Sequence, residues 1–345
     1  MSALVFVRVG ASTPLGLTAG VTVRAVAAGM ARFRDTDVMG RDGEPIRASI
    51  FPGIDPNAPR EQRILYFAER ALRESLDGLP QNVFGKVPVL VVLPEADRGS
   101  ALQSYEIVRS LERSAAPLGL SLDWSRRPLL AGRAGFFQAL DAARVMIAEQ
   151  QAQAVVILGA DSYCDRASLE QLEEENRALS AENPDGLIPG EGAGCVVLAE
   201  AIAARSARIP ALATLEGVAL GRDAEPVGKR TGAHARGISE VFRNLRLANT
   251  GGRMDAIFSC QTGEGVWGRE LSIAYMRNAA LMPEPKVKYL LAENLGDMGA
   301  AAGPIQVGVF LQLQTTSFRR HRKMERAILV GAGDGGEVGG AIVGV

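Results

Sequence analysis

The chain has 345 residues, 47% hydrophobic and 22% charged, and its 38 basic and 39 acidic residues leave a formal net charge of -1. That balance belongs to a folded globular protein with a large core and excludes a long disordered tail. Without a basic excess there is no electrostatic reason to bind nucleic acid, and no apolar stretch approaches the roughly 18 residues needed to cross a bilayer.

The opening segment, MSALVFVRVGASTPLG, is a short apolar run broken by Arg8, without the basic lead and cleavage site of a signal peptide. It reads as a first strand. The apolar runs VPVLVVLPE, AVVILGADS and GCVVLAE read as further strands, of the kind buried in parallel sheets covered on both faces. Apolar residues at three- and four-residue spacing predict helices at Glu61 to Leu76, Leu102 to Arg113 and Gly135 to Glu149. The run Leu169 to Gly186 also has helical spacing, with an acidic bias that predicts a solvated face.

From Ile209 a similar succession begins again, with PALATLEGVAL as strand, Gly237 to Leu247 as helix, MDAIFSC as strand and Arg269 to Leu281 as helix. KVKYLLAEN and ERAILVGAG follow as strands. Between those two, Gly299 to Leu313 is rich in Ala and Gly and nearly free of charge, which predicts a helix buried on all sides and therefore enclosed by sheets. The expected fold class is α/β, layered α/β/α/β/α, with two similar halves at 1–204 and 205–345 and a boundary near Ala201 to Arg208.

Cys164, Cys195 and Cys260 are odd in number and lack disulfide or metal-ligand spacing, which fits a reducing, cytoplasmic setting. Each reads as a small buried filler, although Cys260 stands beside Gln261. The two histidines, His234 and His321, lie in polar segments and read as solvated; no metal or cofactor site can be assembled from them. The GEGAG run from Gly190 to Gly194 lacks the following helix and Lys-Ser/Thr pair of a phosphate cradle, so its glycines read as packing residues.

Taken in order, VRVGASTPLG with a helix ending in AAGMARF, the AGRAG turn before Phe136, ILGADS, PGEGAGCVVLAEA and the terminal GAGDGG hairpin resemble the β-ketoacyl synthases over essentially the whole chain. That family is similar to the thiolases in fold. The resemblance implies a homodimer formed along the AVVILGADS strand. It also implies a nucleophilic cysteine at the N-terminus of a buried helix, whose dipole lowers the thiol pKa, and two histidines that complete the site.

None of these groups stands in its place here. The nucleophile turn, Ala-Cys-Ser-Ser-Gly in pattern, matches Ala131 to Gly135 and puts Gly132 at the cysteine; counting back from Gly159 and Ala160 puts Arg133 there instead. Gln261 takes the position of the first histidine, followed by Thr262, Gly263, Glu264 and Gly265. Glutamine cannot carry a proton near neutral pH. The second histidine falls on Gly296, or on Asn294 when counted from Lys288, and the gating phenylalanine of the terminal loop falls on Asp334.

The resemblance therefore implies a ketosynthase-like protein that binds rather than condenses, with Arg133, Phe136 and Phe137 able to fill the acyl tunnel. Similar degenerate proteins are associated with type VI secretion, which suggests an adaptor for a secretion effector. The alternative is a non-catalytic partner of an active synthase and its acyl carrier protein, like a chain length factor. A third reading is an enzyme that uses Cys260, Glu264 or Asp334 in a remodelled cleft.

Overall fold

The computed structural model describes residues 3–81, 83–96, 103–227, 234–315 and 324–345. The first half of the chain runs β1 (Leu4–Ser12), α1 (Ala19–Ala27), β2 (Arg34–Met39), β3 (Pro45–Ala48), α2 (Arg60–Leu76), β4 (Val87–Leu93), α3 (Ser104–Ala115), β5 (Leu122–Asp123), β6 (Leu129–Leu130), α4 (Gly132–Ala148), β7 (Ala154–Ser162), α5 (Arg166–Glu174), β8 (Glu191–Glu200) and α6 (Ala201–Ser206). The remainder runs β9 (Ala213–Arg222), α7 (Arg236–Ala248), β10 (Ala256–Ser259), α8 (Gly265–Arg277), β11 (Lys288–Leu290), α9 (Ala292–Leu295), α10 (Ala302–Thr315), β12 (Arg326–Ala332) and β13 (Glu337–Gly344).

The same strand arrangement is traced twice. In space the first set runs β1-β8-β7-β4-β5 and the second β9-β13-β12-β10-β11, so each places its first, fifth, fourth, second and third strands side by side. Directions repeat too. β8 is antiparallel to both β1 and β7, as β13 is to β9 and β12, while β7-β4-β5 and β12-β10-β11 are parallel. The two sets join where Leu4, Val5 and Phe6 of β1 pair with Leu215, Thr214 and Ala213 of β9.

Helices α4 and α10 fill the space between the two strand sets: α4 touches β4 and β7 on one side and β12 and β13 on the other, and α10 touches β1, β7 and β8 as well as β10 and β12. This is why α10 carries no charge. Ile305, Val307, Val309 and Phe310 are all buried, each stabilising the fold by about 1.5–3 kcal/mol. Helices α2 and α3 cover the outer face of the first set and α7 and α8 that of the second, which gives the five layers.

Sequence and structure part in several places. The sheet is mixed, so the continuous apolar runs of β7 and β8 reflect helices on both faces rather than parallel pairing. Helix α4 begins three residues before Gly135 and α8 four before Arg269, and KVKYLLAEN leaves its strand at Leu290 to enter α9. The acidic run is helical only to Glu174. Strand β7 is paired on both edges, to β4 and β8, so no dimer can form by strand addition along AVVILGADS. His321 lies outside the described residues, and His234 is exposed. Among the described residues no helix is long and apolar enough to cross a membrane.

Close approach between layers is built on glycine. Gly159 in β7 lies against the turn before α10, where a Cβ would stand 2.2 Å from the carbonyl oxygen of Ala300. The GEGAG glycines lie inside strand β8 or just before it, with Gly194 packed on Pro304 and Ile305; α6 does follow the strand, but only at Ala201, so the glycines do not form the helix N-terminus that could cradle a phosphate.

Candidate functional site

The N-terminus of α4 points at the loops that follow β10, α9 and β12. Gly132, its first residue, has φ +47, and a Cβ there would lie 2.8 Å from a carboxylate oxygen of Glu95. A side chain at this position meets both backbone strain and a carboxylate. The next residue, Arg133, points inward with 2% of its side chain exposed. A guanidinium taken out of water costs several kcal/mol unless its donors are met. Here Nε donates to the Ala332 carbonyl at 2.9 Å, Nη1 to Asp297 Oδ2 at 2.5 Å, and Nη2 to Asp334. The Trp267 ring lies 5.1 Å from the guanidinium carbon.

A second arginine continues the network. Arg177 forks onto Glu264, Nε to Oε1 at 2.7 Å and Nη2 to Oε2 at 2.8 Å, and its Nη1 donates to Asp334 Oδ2 at 2.7 Å. Thr262 and Trp267 also donate to Glu264, at 2.9 and 3.2 Å. Charges thus alternate along one chain of contacts: Glu264, Arg177, Asp334, Arg133, Asp297. Glu95 holds the terminal hairpin in register by accepting the backbone N–H groups of Asp334 and Gly335 at 3.0 and 2.9 Å. Asp297 likewise accepts the N–H of Gly299 at 3.0 Å.

Burial by itself would raise the pKa of Glu264, but the hydrogen bonds and charge of Arg177, and then the charge of Arg133, outweigh it and hold the carboxyl at about 2. Burial would lower that of Arg133; the surrounding acids, Asp297 foremost, reverse the sign and keep it protonated. The thiols move the other way. Burial pushes Cys260 and Cys164 well above the usual range and Cys195 up to about 12, which suppresses the thiolate that nucleophilic chemistry needs. Cys260 is contacted by the amide nitrogen of Gln306 at 3.0 Å, a group that cannot take its proton.

The structure brings together three of the positions singled out from sequence, Arg133, Glu264 and Asp334. Others are spent elsewhere. The Gln261 amide donates to the Trp267 carbonyl and closes the turn into α8. Gly296 has φ +66, and a Cβ there would stand 2.7 Å from the carbonyls of Ile188 and Pro189, so no side chain fits. Asn294 donates to the Met30 carbonyl at 2.8 Å, beyond the end of α1. Phe136 and Phe137 are fully buried, with ring centroids 5.5 Å apart.

A cleft of about 400 Å3 opens beside the network, between Leu179, Ile188, Gln261, Glu264 and Leu290; neither Gly132 nor Arg133 lines it. The sequence reading missed Asp297, Arg177, Glu95 and Trp267. One signal was available: an arginine beside two phenylalanines at the start of a buried helix requires carboxylates to meet it. The acidic run, expected to be solvated, instead sends Arg177 into the site and Leu179 into the cleft wall. Among the described residues no group of His, Cys, Asp and Glu is placed to hold a metal ion.

No family model and no curated protein sequence matches the chain. Solved structures do. A structure described as the ishigamide ketosynthase/chain length factor superposes with TM-score 0.77 at 18% identity, covering 100% of this chain and 99% of the other. AntDE:AntF, a type II PKS acyl-carrier protein in complex with its ketosynthase bound to the hexaketide, gives 0.79 at 14% over 100% and 99%. The ketosynthase from module 6 of the bacillaene synthase from Bacillus subtilis 168 gives 0.71 at 15%, over 99% of this chain and 72% of that one. The chain has the thiolase fold of the ketosynthases.

Proposed function

We propose that this ketosynthase-fold chain works by binding, as a non-condensing accessory subunit of an acyl-carrier-dependent synthase, with Gly132, Gln261, Gly296 and Asp334 standing where condensing groups would be. The observation that carries the reading is the N-terminus of α4. A condensing enzyme needs a thiolate at such a helix end, where the dipole stabilises the anion; here Arg133 is fixed between Asp297 and Asp334. The two positive groups, helix end and guanidinium, are neutralised by carboxylates rather than used on a substrate. His234, the one histidine among the described residues, is exposed and makes no hydrogen bond or ion pair with these groups.

The likeness to a ketosynthase/chain length factor structure supports the accessory role, and a sheet edge at β5 and β6, with Leu130 39% exposed, offers a surface for a second ketosynthase-fold subunit. An adaptor for a secretion effector would share the binding part of this reading, and no feature of the fold favours it over the synthase partner. Co-expression with a ketosynthase and carrier protein from the same genome is expected to give an equimolar complex whose product lengths change when this chain is withheld. A chain that purifies alone and whose removal leaves the products unchanged contradicts the proposal.

A further inference from the structure

Helices α7 and α8 lie side by side on the outer layer, and an open groove of about 510 Å3 runs between their exposed flanks. It shares no lining residue with the cleft described above. Among the described residues its walls carry Arg236, Arg243 and Arg246 from α7 and Arg277 from α8, against a single carboxylate, Glu240, 3.8 Å from Arg243. Four positive charges against one negative leave a local surplus of three, on a chain whose total is -1. Arg277 donates to neutral oxygens, the His234 carbonyl at 2.9 Å and Ser239 Oγ at 3.1 Å. Among the described residues Arg236 and Arg246 have no acidic partner.

Exposed arginines without an acidic partner, as Arg236 and Arg246 are here, add little to the fold and repel the neighbouring Arg243 and Arg277, so the concentration of charge speaks for an anionic partner. Their layout says which kind. Arg236, Arg243 and Arg246 are spaced i, i+7 and i+10, which sets them along one flank of α7 over about 15 Å. A lone phosphate is gripped by donors that converge on a point, whereas this line matches carboxylates repeated along one face of a helix. Leu247, one turn beyond Arg243 and 72% exposed, supplies an apolar contact at the end of the line.

We propose that the α7–α8 groove docks an acidic helical segment of a partner protein. The proposal stands apart from the reading of the α4 N-terminus and does not depend on it. The probe is a fluorescein-labelled helical peptide with glutamates at i, i+3, i+7 and i+10, followed by anisotropy on the full chain. Binding is expected at low salt, weakening as salt rises, and the charge-reversed variant Arg236→Glu/Arg243→Glu/Arg246→Glu should lose about tenfold or more in affinity. The milder Arg236→Gln/Arg246→Gln should fall between, and keeps the test open if the triple variant folds poorly. No binding, equal affinity for wild type and variants, or tighter occupation of the groove by pyrophosphate or single-stranded DNA than by the peptide overturns the proposal.

Discussion

Replacing Arg133 by alanine is expected to destabilise the protein by about 3–5 kcal/mol, because it strands a buried carboxylate rather than merely deleting a contact. Asp297 has 1% of its side chain exposed, so water cannot take over the role of the guanidinium. Asp334 keeps Arg177 and is less affected. The distinction can be read from a second variant. Arg133→Met with Asp297→Asn removes both charges while the asparagine carbonyl can still accept the Gly299 N–H, and it should recover much of the loss. Urea unfolding measures both; a loss below about 1 kcal/mol for Arg133→Ala would mean that the guanidinium is not held as described.

The pH dependence of the same network should be as large. Glu264 has a folded pKa of about 2 against an ordinary 4.5. A lowered carboxylate pKa means that folding favours the charged form, so the contribution is fully present above about pH 5 and is lost as pH falls towards 2. Its full size is on the order of 3 kcal/mol. Other carboxylates titrate over the same range, so the informative quantity is the difference between wild type and Glu264→Gln. Wild type should be more stable by that amount at pH 7, and the gap should close near pH 2. A gap that does not change with pH would show that the fork from Arg177 onto Glu264 contributes nothing as an ion pair.

The architecture was readable because its signals are local. β1, β4, β7 and β8 announce themselves as apolar runs, and the charge-free stretch around Ile305 and Phe310 can only be a helix enclosed by sheets. The short strands β2, β3, β5 and β6 escaped because two to six residues without alternation carry no period. Strand direction escaped as well, since burial on both faces looks the same in parallel and antiparallel neighbours.

The site was half readable. That glycine and glutamine at 132, 261 and 296 carry neither a nucleophile nor a titrating base is plain from the residue types, but which groups surround these positions is not. Arg133 meets Asp297, 164 residues away, and Asp334, 201 away, and no spacing rule links such positions. Arg177 was hidden in a run whose composition points to solvent. A buried cation with no neighbour in sequence is a demand for distant anions, and only the fold says which ones answer.

The claim on which the rest depends is that no group at the start of α4 can accept an acyl chain. Intact-mass measurement of the protein after incubation with malonyl- and acyl-loaded carrier proteins addresses it most directly. The expected result is an unchanged protein mass, with both carriers returned still loaded and no condensed product. An acyl adduct on Cys260 or any other residue, or a lengthened chain on the carrier, would contradict it.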